Sequence, residues 1–270
     1  MVVSDVHLGS DKCDKTAFNG FLNSLGEDND LTDLVLLGDI VDMWRRDASG
    51  VFLENMDTVR IIKDLGNRIN VHWVAGNHDY HLLKLKNRAP HYNYPFEFHE
   101  TLELTDGPHT YRFMHGYEFE YGDEIRFIKP ILEMLCHVMS DAEGVPEDEM
   151  WVSITKIMAD IHYSAFSHLL EGKDLTVNRR SLHDTPAERL KDKLEKLEAR
   201  SFDEIRGKAG TVLVFGHTHH PFINIGESLV NAGSWVRDAE PHNTFVVLEE
   251  GKPRLFVFGG REITERIEIV

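Results

Sequence analysis

Over the first hundred residues, short apolar runs that stop at glycine alternate with longer stretches of helical spacing. "DLVLLGD" (33–39) and "NVHWVAG" (70–76) are runs of the first kind and read as short strands. Phe18, Leu22 and Leu25 form one apolar stripe with Gly26 as its stop, and Val59, Ile62 and Leu65 form another ahead of Gly66. The alternation predicts βαβ units. "YRFMHG" (111–116) and "TVLVFGH" (211–217) read as two more strands, and "TFVVLEEGKPRLFVF" (244–258) as a hairpin turning at Gly251 and Pro253. The opening "MVVSD" supplies only two or three strand residues, as though native residues precede Met1.

From 117 to 210 the pattern changes. "DEIRFIKPILEMLCHVMS" (123–140) and "MWVSITKIMADIHYSAFSHLL" (150–170) are long, apolar and helical in spacing. "TPAERLKDKLEKLEA" (185–199) begins with Thr185 as N-cap, Pro186 at the first helical position and Glu188 closing a capping box. Leu190, Leu194 and Leu197 give that helix one narrow stripe. The expected organisation is an α/β core in two parts, 1–116 and 211–270, interrupted by a helical cap at 117–210. The apolar set between Ile125 and Met139 is too broad for a solvated helix. It predicts a small core within the cap, with an acyl-chain groove, a second subunit or a membrane surface as the sharper alternatives.

Five of the strand-like runs end in residues suited to a metal: "SDVH", "GDIVD", "GNHD", "MHG" and "GHTH". In open α/β sheets ligands bind beyond the carboxyl ends of the strands, which is where these clusters fall. Asp5 and His7 are two residues apart, as are His217 and His219, so continued strand geometry would project each pair from one face. Imidazole, carboxylate and amide donors together suit manganese, iron or zinc rather than calcium, which prefers oxygen alone. Seven candidate ligands exceed one ion's needs and suit two divalent ions sharing a carboxylate.

Composition narrows the class. The net charge of −17 argues against broad binding to nucleic acid. Two cysteines, Cys13 and Cys136, offer no disulfide framework, and the chain lacks an apolar run of membrane-spanning length or a signal-like opening. A cytoplasmic protein is expected, with contact to the inner face of a membrane possible only through the cap.

The ordered set "DVH", "GDIVD", "GNHD", "H" and "GHTH" resembles the calcineurin-like metallophosphoesterases. The resemblance implies a four-layer αββα sandwich with an inserted helical cap. It implies one metal held by Asp5, His7, Asp39 and His219, and another by Asn77, His115 and His217 with Asp39 bridging. Two divalent ions, manganese first with iron or zinc as substitutes, would then activate a hydroxide for phosphoester hydrolysis. His78 would be the general acid, oriented by Asp42.

"GDIVDMW", "VNAGSWV" (230–236) and the position of the insertion resemble, within that family, the UDP-2,3-diacylglucosamine pyrophosphohydrolases, whose helical cap covers a lipid substrate. Those enzymes commonly carry arginine where this chain has His78. The expected substrate is therefore a nucleotide-linked or lipid-linked phosphodiester or diphosphate. Trp44, Arg45, Arg46, Arg179 and Arg180 are the candidate substrate contacts, the arginines because a guanidinium grips phosphate bidentately. A nuclease of the same superfamily and a non-catalytic scaffold that binds a partner through its cap are the competing readings.

Overall fold

The apolar runs become strands because each is flanked by packing on both sides. In the computed structural model, which describes residues 1–86, 94–120, 195–197, 199–201, 208, 210–224, 226, 228–259 and 261–263, they are arranged in two sheets. The first sheet contains β1 (Val2–Val3), β2 (Asp33–Leu37), β3 (Asn70–Val74), β4 (Glu97–His99) and the later strands β10 (Thr244–Glu249), β11 (Lys252–Val257) and β12 (Arg261–Ile263). Its order is β12-β11-β10-β1-β2-β3-β4. β1 to β4 run parallel, and β10 joins β1 antiparallel, so the predicted hairpin forms one wing of the sheet.

The second sheet contains β5 (Leu102–Asp106), β6 (His109–Phe113), β7 (Thr211–Phe215), β8 (Phe222–Asn224) and β9 (Leu229–Asn231), in the order β5-β6-β7-β9-β8. Its three middle strands are parallel.

Alternation along β2 assigns the layers. Val35 and Leu37 turn toward the second sheet and pack with Val2, Val74, Tyr111, Phe113, Val214 and Val246. Leu34 and Leu36 turn the other way, into a core with Phe18, Phe21 and Leu22 of α1 (Lys15–Leu25) and Ile62 and Leu65 of α2 (Met56–Gly66). α1 starts where the Asp14 carboxylate accepts the Ala17 amide, a side-chain N-cap. Gly26 follows α1 in right-handed rather than left-handed conformation, so its φ of −60° demands no glycine. On the outer face of the second sheet, Leu213, Phe215 and Leu229 pack with Phe119 and Leu197. Residues 195–197 and 199–201 are helical, which supplies the fourth layer of the αββα sandwich.

The expected cap helices at 123–140 and 150–170 lie outside the described residues, as does the start of the one at 185–199. What is described of the 117–210 stretch touches the core at both ends. Tyr117 and Phe119 are buried, and the Arg200 guanidinium donates to the Phe119 carbonyl at 2.9 Å. Among the described residues, no helix is long and apolar enough to cross a membrane.

Trp235 links this core to the strand ends. Its ring is fully buried against Phe18, Phe21 and Phe258, with centroids 5.1, 5.2 and 6.0 Å away. Its backbone N–H donates to the Asp5 carbonyl and its carbonyl accepts from Asp14. Trp235→Ala should therefore lower stability by about 3–5 kcal/mol, measured by urea unfolding.

Candidate metal centre

Four candidate ligands stand at the same place in their elements: Asp5, Asp39, His115 and His217 each lie two residues beyond the end of β1, β2, β6 and β7. Asn77 lies three beyond β3. The backbone there is not strand. Asp5, His7, Asp39, His217 and His219 have φ of 53°, 54°, 52°, 65° and 61°, the left-handed region that side chains with a Cβ avoid. The pairs Asp5/His7 and His217/His219 thus converge through left-handed turns, and not through the strand alternation their spacing suggests. Each such residue costs on the order of 1–2 kcal/mol, so five together mark a site whose geometry is imposed by its surroundings.

The side chains meet in two overlapping groups. Asp5, His7 and His219 form one and Asp39, His115 and His217 another, the candidate ligand atoms of each lying within 4.8 Å of one another, and the two are joined through His7, Asp39 and His78, whose atoms are equally close. His219 Nε2 is 3.3 Å from Asp5 Oδ1, and His115 Nε2 is 3.1 Å from Asp39 Oδ2. His7 Nε2 lies 3.9 Å from both carboxylates. Asp39 therefore stands between the groups. Asp5 Oδ1, His7 Nε2, Asn77 Oδ1 and His115 Nε2 are buried without a hydrogen-bond partner. Four such atoms in one place would be costly in a purely structural cluster, whereas cations satisfy all of them. The donor set fits two divalent ions.

The remaining atoms of these side chains are fixed. His115 Nδ1 donates to the Leu37 carbonyl at 3.1 Å, which leaves Nε2 without a proton when the ring is neutral. His7 Nδ1 meets Asp42 Oδ2 at 3.0 Å, and His78 Nδ1 meets Asp42 Oδ1 at 2.8 Å. One carboxylate thus orients both a candidate ligand and the candidate general acid. Asp39 Oδ1 accepts the His78 amide, and Asp5 Oδ2 accepts the His217 amide, each at 2.8 Å. Two glycines make these approaches possible. A Cβ on Gly76 would sit 2.2 Å from Asp39 Oδ1, and one on Gly216 would sit 1.9 Å from Ser4 Oγ.

A sequence model of the calcineurin-like phosphoesterases matches residues 1–221. The chain belongs to that family. No curated protein is similar enough in sequence to match. Among solved structures, a conserved Streptococcus pneumoniae protein described as a predicted phosphoesterase is 12% identical, covering 97% of this chain and 91% of that one at a TM-score of 0.38. A single mutant of Vps29 from Entamoeba histolytica is 14% identical, with 94% and 88% covered and a TM-score of 0.41. An archaeal phosphodiesterase is 12% identical, with 97% and 96% covered and a TM-score of 0.37.

In this calcineurin-like phosphoesterase the expected substrate contacts fare differently from the metal cluster. Trp44 is 3% exposed, and its indole stacks on His78 with centroids 4.0 Å apart, so its face is occupied by the imidazole. Arg45 pairs with Asp42, and Arg46 turns away to Glu54 at the surface. Arg179 and Arg180 lie outside the described residues.

Three supporting residues were not found from the sequence. Asp79 accepts the amides of Gly76 and Ile40 and the indole N–H of Trp73, at 2.7, 2.9 and 3.0 Å, and so joins the loops after β2 and β3. Asn231, fully buried, donates to the Gly216 carbonyl and Thr218 Oγ1 and accepts from the Gly233 amide. Ser4 Oγ lies 2.5 Å from Asp5 Oδ2 and 2.6 Å from the Leu37 carbonyl. All three sat within the quoted stretches "GNHD", "SDVH" and "VNAGSWV", but nothing in those stretches indicated a supporting role.

Electrostatics couple the two groups. Burial alone would lift the Asp5 carboxyl, but His115 and His219 outweigh it and hold it at about 2. Asp39 is likewise buried, and His115 and His78 hold it below the usual carboxylate range. Burial would lower His115, yet Asp39 and Asp5 raise it to about 10. An imidazolium between two carboxylates takes the place that a cation would fill. A metal must therefore displace that proton, and affinity should rise with pH below about 10. Manganese binding to stripped protein at pH 8 should release about one proton, read from the buffer dependence of the calorimetric heat.

Proposed function

We propose that this protein hydrolyses a phosphodiester or diphosphate bond in a nucleotide-linked or lipid-linked substrate, with UDP-2,3-diacylglucosamine as the first representative to test. The observation that carries the reading is the set of buried, unpartnered donor atoms on Asp5, His7, Asn77 and His115, gathered beside His78. In this reading Asp5, His7, Asp39 and His219 hold one divalent ion. Asn77, His115 and His217 hold the other, with Asp39 shared. Two such ions, manganese in the first instance, supply Lewis-acid charge to the phosphoryl oxygens and a strong nucleophile near neutral pH.

The chain's own residues do the rest. His78 hands a proton to the leaving oxygen from Nε2, because Asp42 engages its Nδ1 at 2.8 Å and fixes the ring's orientation. Asp42 itself is buried, yet His78 and His7 hold its carboxyl well below the usual range, so it stays an acceptor for both rings. Trp44 holds the ring from one face, a positioning role. Recognition of the nucleotide or acyl portion falls to the 117–210 stretch, which would also provide any contact with a membrane surface. The net charge of −17 disfavours the nuclease reading.

The deciding comparison uses stripped protein reloaded with manganese, offered a UDP-linked diacyl sugar or single-stranded DNA at equal concentration and fixed salt. Release of UMP from the lipid is the expected result, and preferential cleavage of DNA would replace this reading with the nuclease. His78→Ala should retain both manganese ions by elemental analysis while losing about 10²–10⁴-fold in turnover. Loss of metal from that variant would count against the role assigned to His78.

A further inference from the structure

A second group of metal-capable side chains sits on the edge of the first sheet. Strand pairing sets His72 of β3 opposite Glu97 of β4, and Val74 opposite His99. Trp73 and Phe98, also opposite each other, face the helical layer, so His72, Glu97 and His99 share the other face of this ribbon. Asp33 and Asn70, at the starts of β2 and β3, adjoin the group. The centre described above lies beyond the carboxyl ends of these strands and uses none of these three side chains.

We propose that His72, Glu97 and His99 form an independent site for a zinc-class divalent cation. His72 is 8% exposed, and its Nε2 is 2.9 Å from Asp33 Oδ1. A carboxylate can only accept, so Nε2 carries a proton, and in the neutral ring Nδ1 presents a lone pair. That Nδ1 is buried and has no hydrogen-bond partner, and the same is true of His99 Nε2. The carboxylate that could neutralise a cation is close to both: Glu97 Oε2 is 4.0 Å from His72 Nδ1 and 3.5 Å from His99 Nε2. All three ligand atoms lie within 4.8 Å of one another.

Two imidazoles and one carboxylate with a position left for water is a donor set that zinc accepts, and a carboxylate behind a ligating histidine is the usual way of fixing its tautomer. Tetrahedral zinc with bonds of about 2.0–2.1 Å separates its ligand atoms by about 3.3–3.5 Å. The Glu97–His99 pair already meets that separation, and the Glu97 side chain, 74% exposed, has room to close on His72. Asp33 is itself steadied by the Asn70 amide at 3.1 Å. Simple ion pairing would account for the His72–Asp33 contact, but it leaves His72 Nδ1 and His99 Nε2 buried and unsatisfied. A bound cation would pin β4, an edge strand of three residues, to β3.

This site stands apart from the hydrolytic reading and is tested without it. Stripped full-length protein is equilibrated with a fixed low concentration of free zinc, and zinc per chain is measured by elemental analysis. Wild type should hold one zinc ion more than His99→Gln, with the variant's circular dichroism unchanged. His219→Gln, which alters only the other centre, should keep that ion. Asp33→Asn should weaken the edge site by about 10–100-fold. If His99→Gln fails to fold, Glu97→Gln, at an exposed side chain, gives the same comparison. Equal zinc content in wild type and whichever of the two variants folds overturns the proposal.

Discussion

Asp5 and Asp39 are two carboxylates buried side by side, at the ends of adjacent parallel strands in the middle of a sheet. Neither could stay ionised there alone, since taking one unpaired charge out of water costs several kcal/mol even after relaxation. Their compensation comes from the other sheet. His115, His217 and His219 follow β6 and β7, and they reach the carboxylates only because the two sheets pack face to face through Val35, Leu37, Phe113 and Val214. Fold and site are thus one construction. The apolar layer between the sheets sets the distance at which imidazole meets carboxylate, and Asp5 then ties the second sheet back by accepting the His217 amide. The missing side chain at Gly216 is part of the same constraint, because any Cβ there would hold the loop after β7 away from Ser4 and Asp5.

What could be read from the sequence follows from this arrangement. Strands in the middle of a sheet announce themselves as short, largely apolar runs, so β2, β3, β6 and β7 were visible, and their ends marked the polar clusters. The hairpin of β10 and β11 showed through its turn residues. The left-handed backbone at Asp5, His7, Asp39, His217 and His219 did not show, because nothing in those side chains requests it. It is imposed by packing and by hydrogen bonds from residues distant in sequence, such as the Asn231 amide on the Gly216 carbonyl. The direction of Trp44 did not show for the related reason that motif spacing fixes where a residue lies along the chain but not which way its ring turns. Here the ring turns inward, onto His78.

Asp42 has a consequence for how this chemistry can be dissected. One oxygen orients His7, within the metal cluster, and the other orients His78, the candidate acid. Arg45 pairs with the same carboxylate, and the amides of Trp44 and Arg45 donate to its Oδ1. Replacing Asp42 would disturb metal affinity and proton transfer at once. Only a change at His78 itself, which the proposed metal sets do not include, separates the two.

The same local device recurs at three histidines. His115 gives Nδ1 to a carbonyl and His7 gives Nδ1 to Asp42, each turning Nε2 toward the Asp5 and Asp39 carboxylates. His72 gives Nε2 to Asp33 and presents an unpartnered Nδ1. A neutral imidazole has one donor and one acceptor nitrogen, so fixing the proton on one side aims a lone pair from the other. A buried histidine serving only as packing has no need of such asymmetry, and its second nitrogen would ordinarily find a hydroxyl, amide or water. Where two such lone pairs converge on a carboxylate, the missing partner is a positive charge. That inference applies to the edge of the first sheet by the same physics that applies to the ends of its strands.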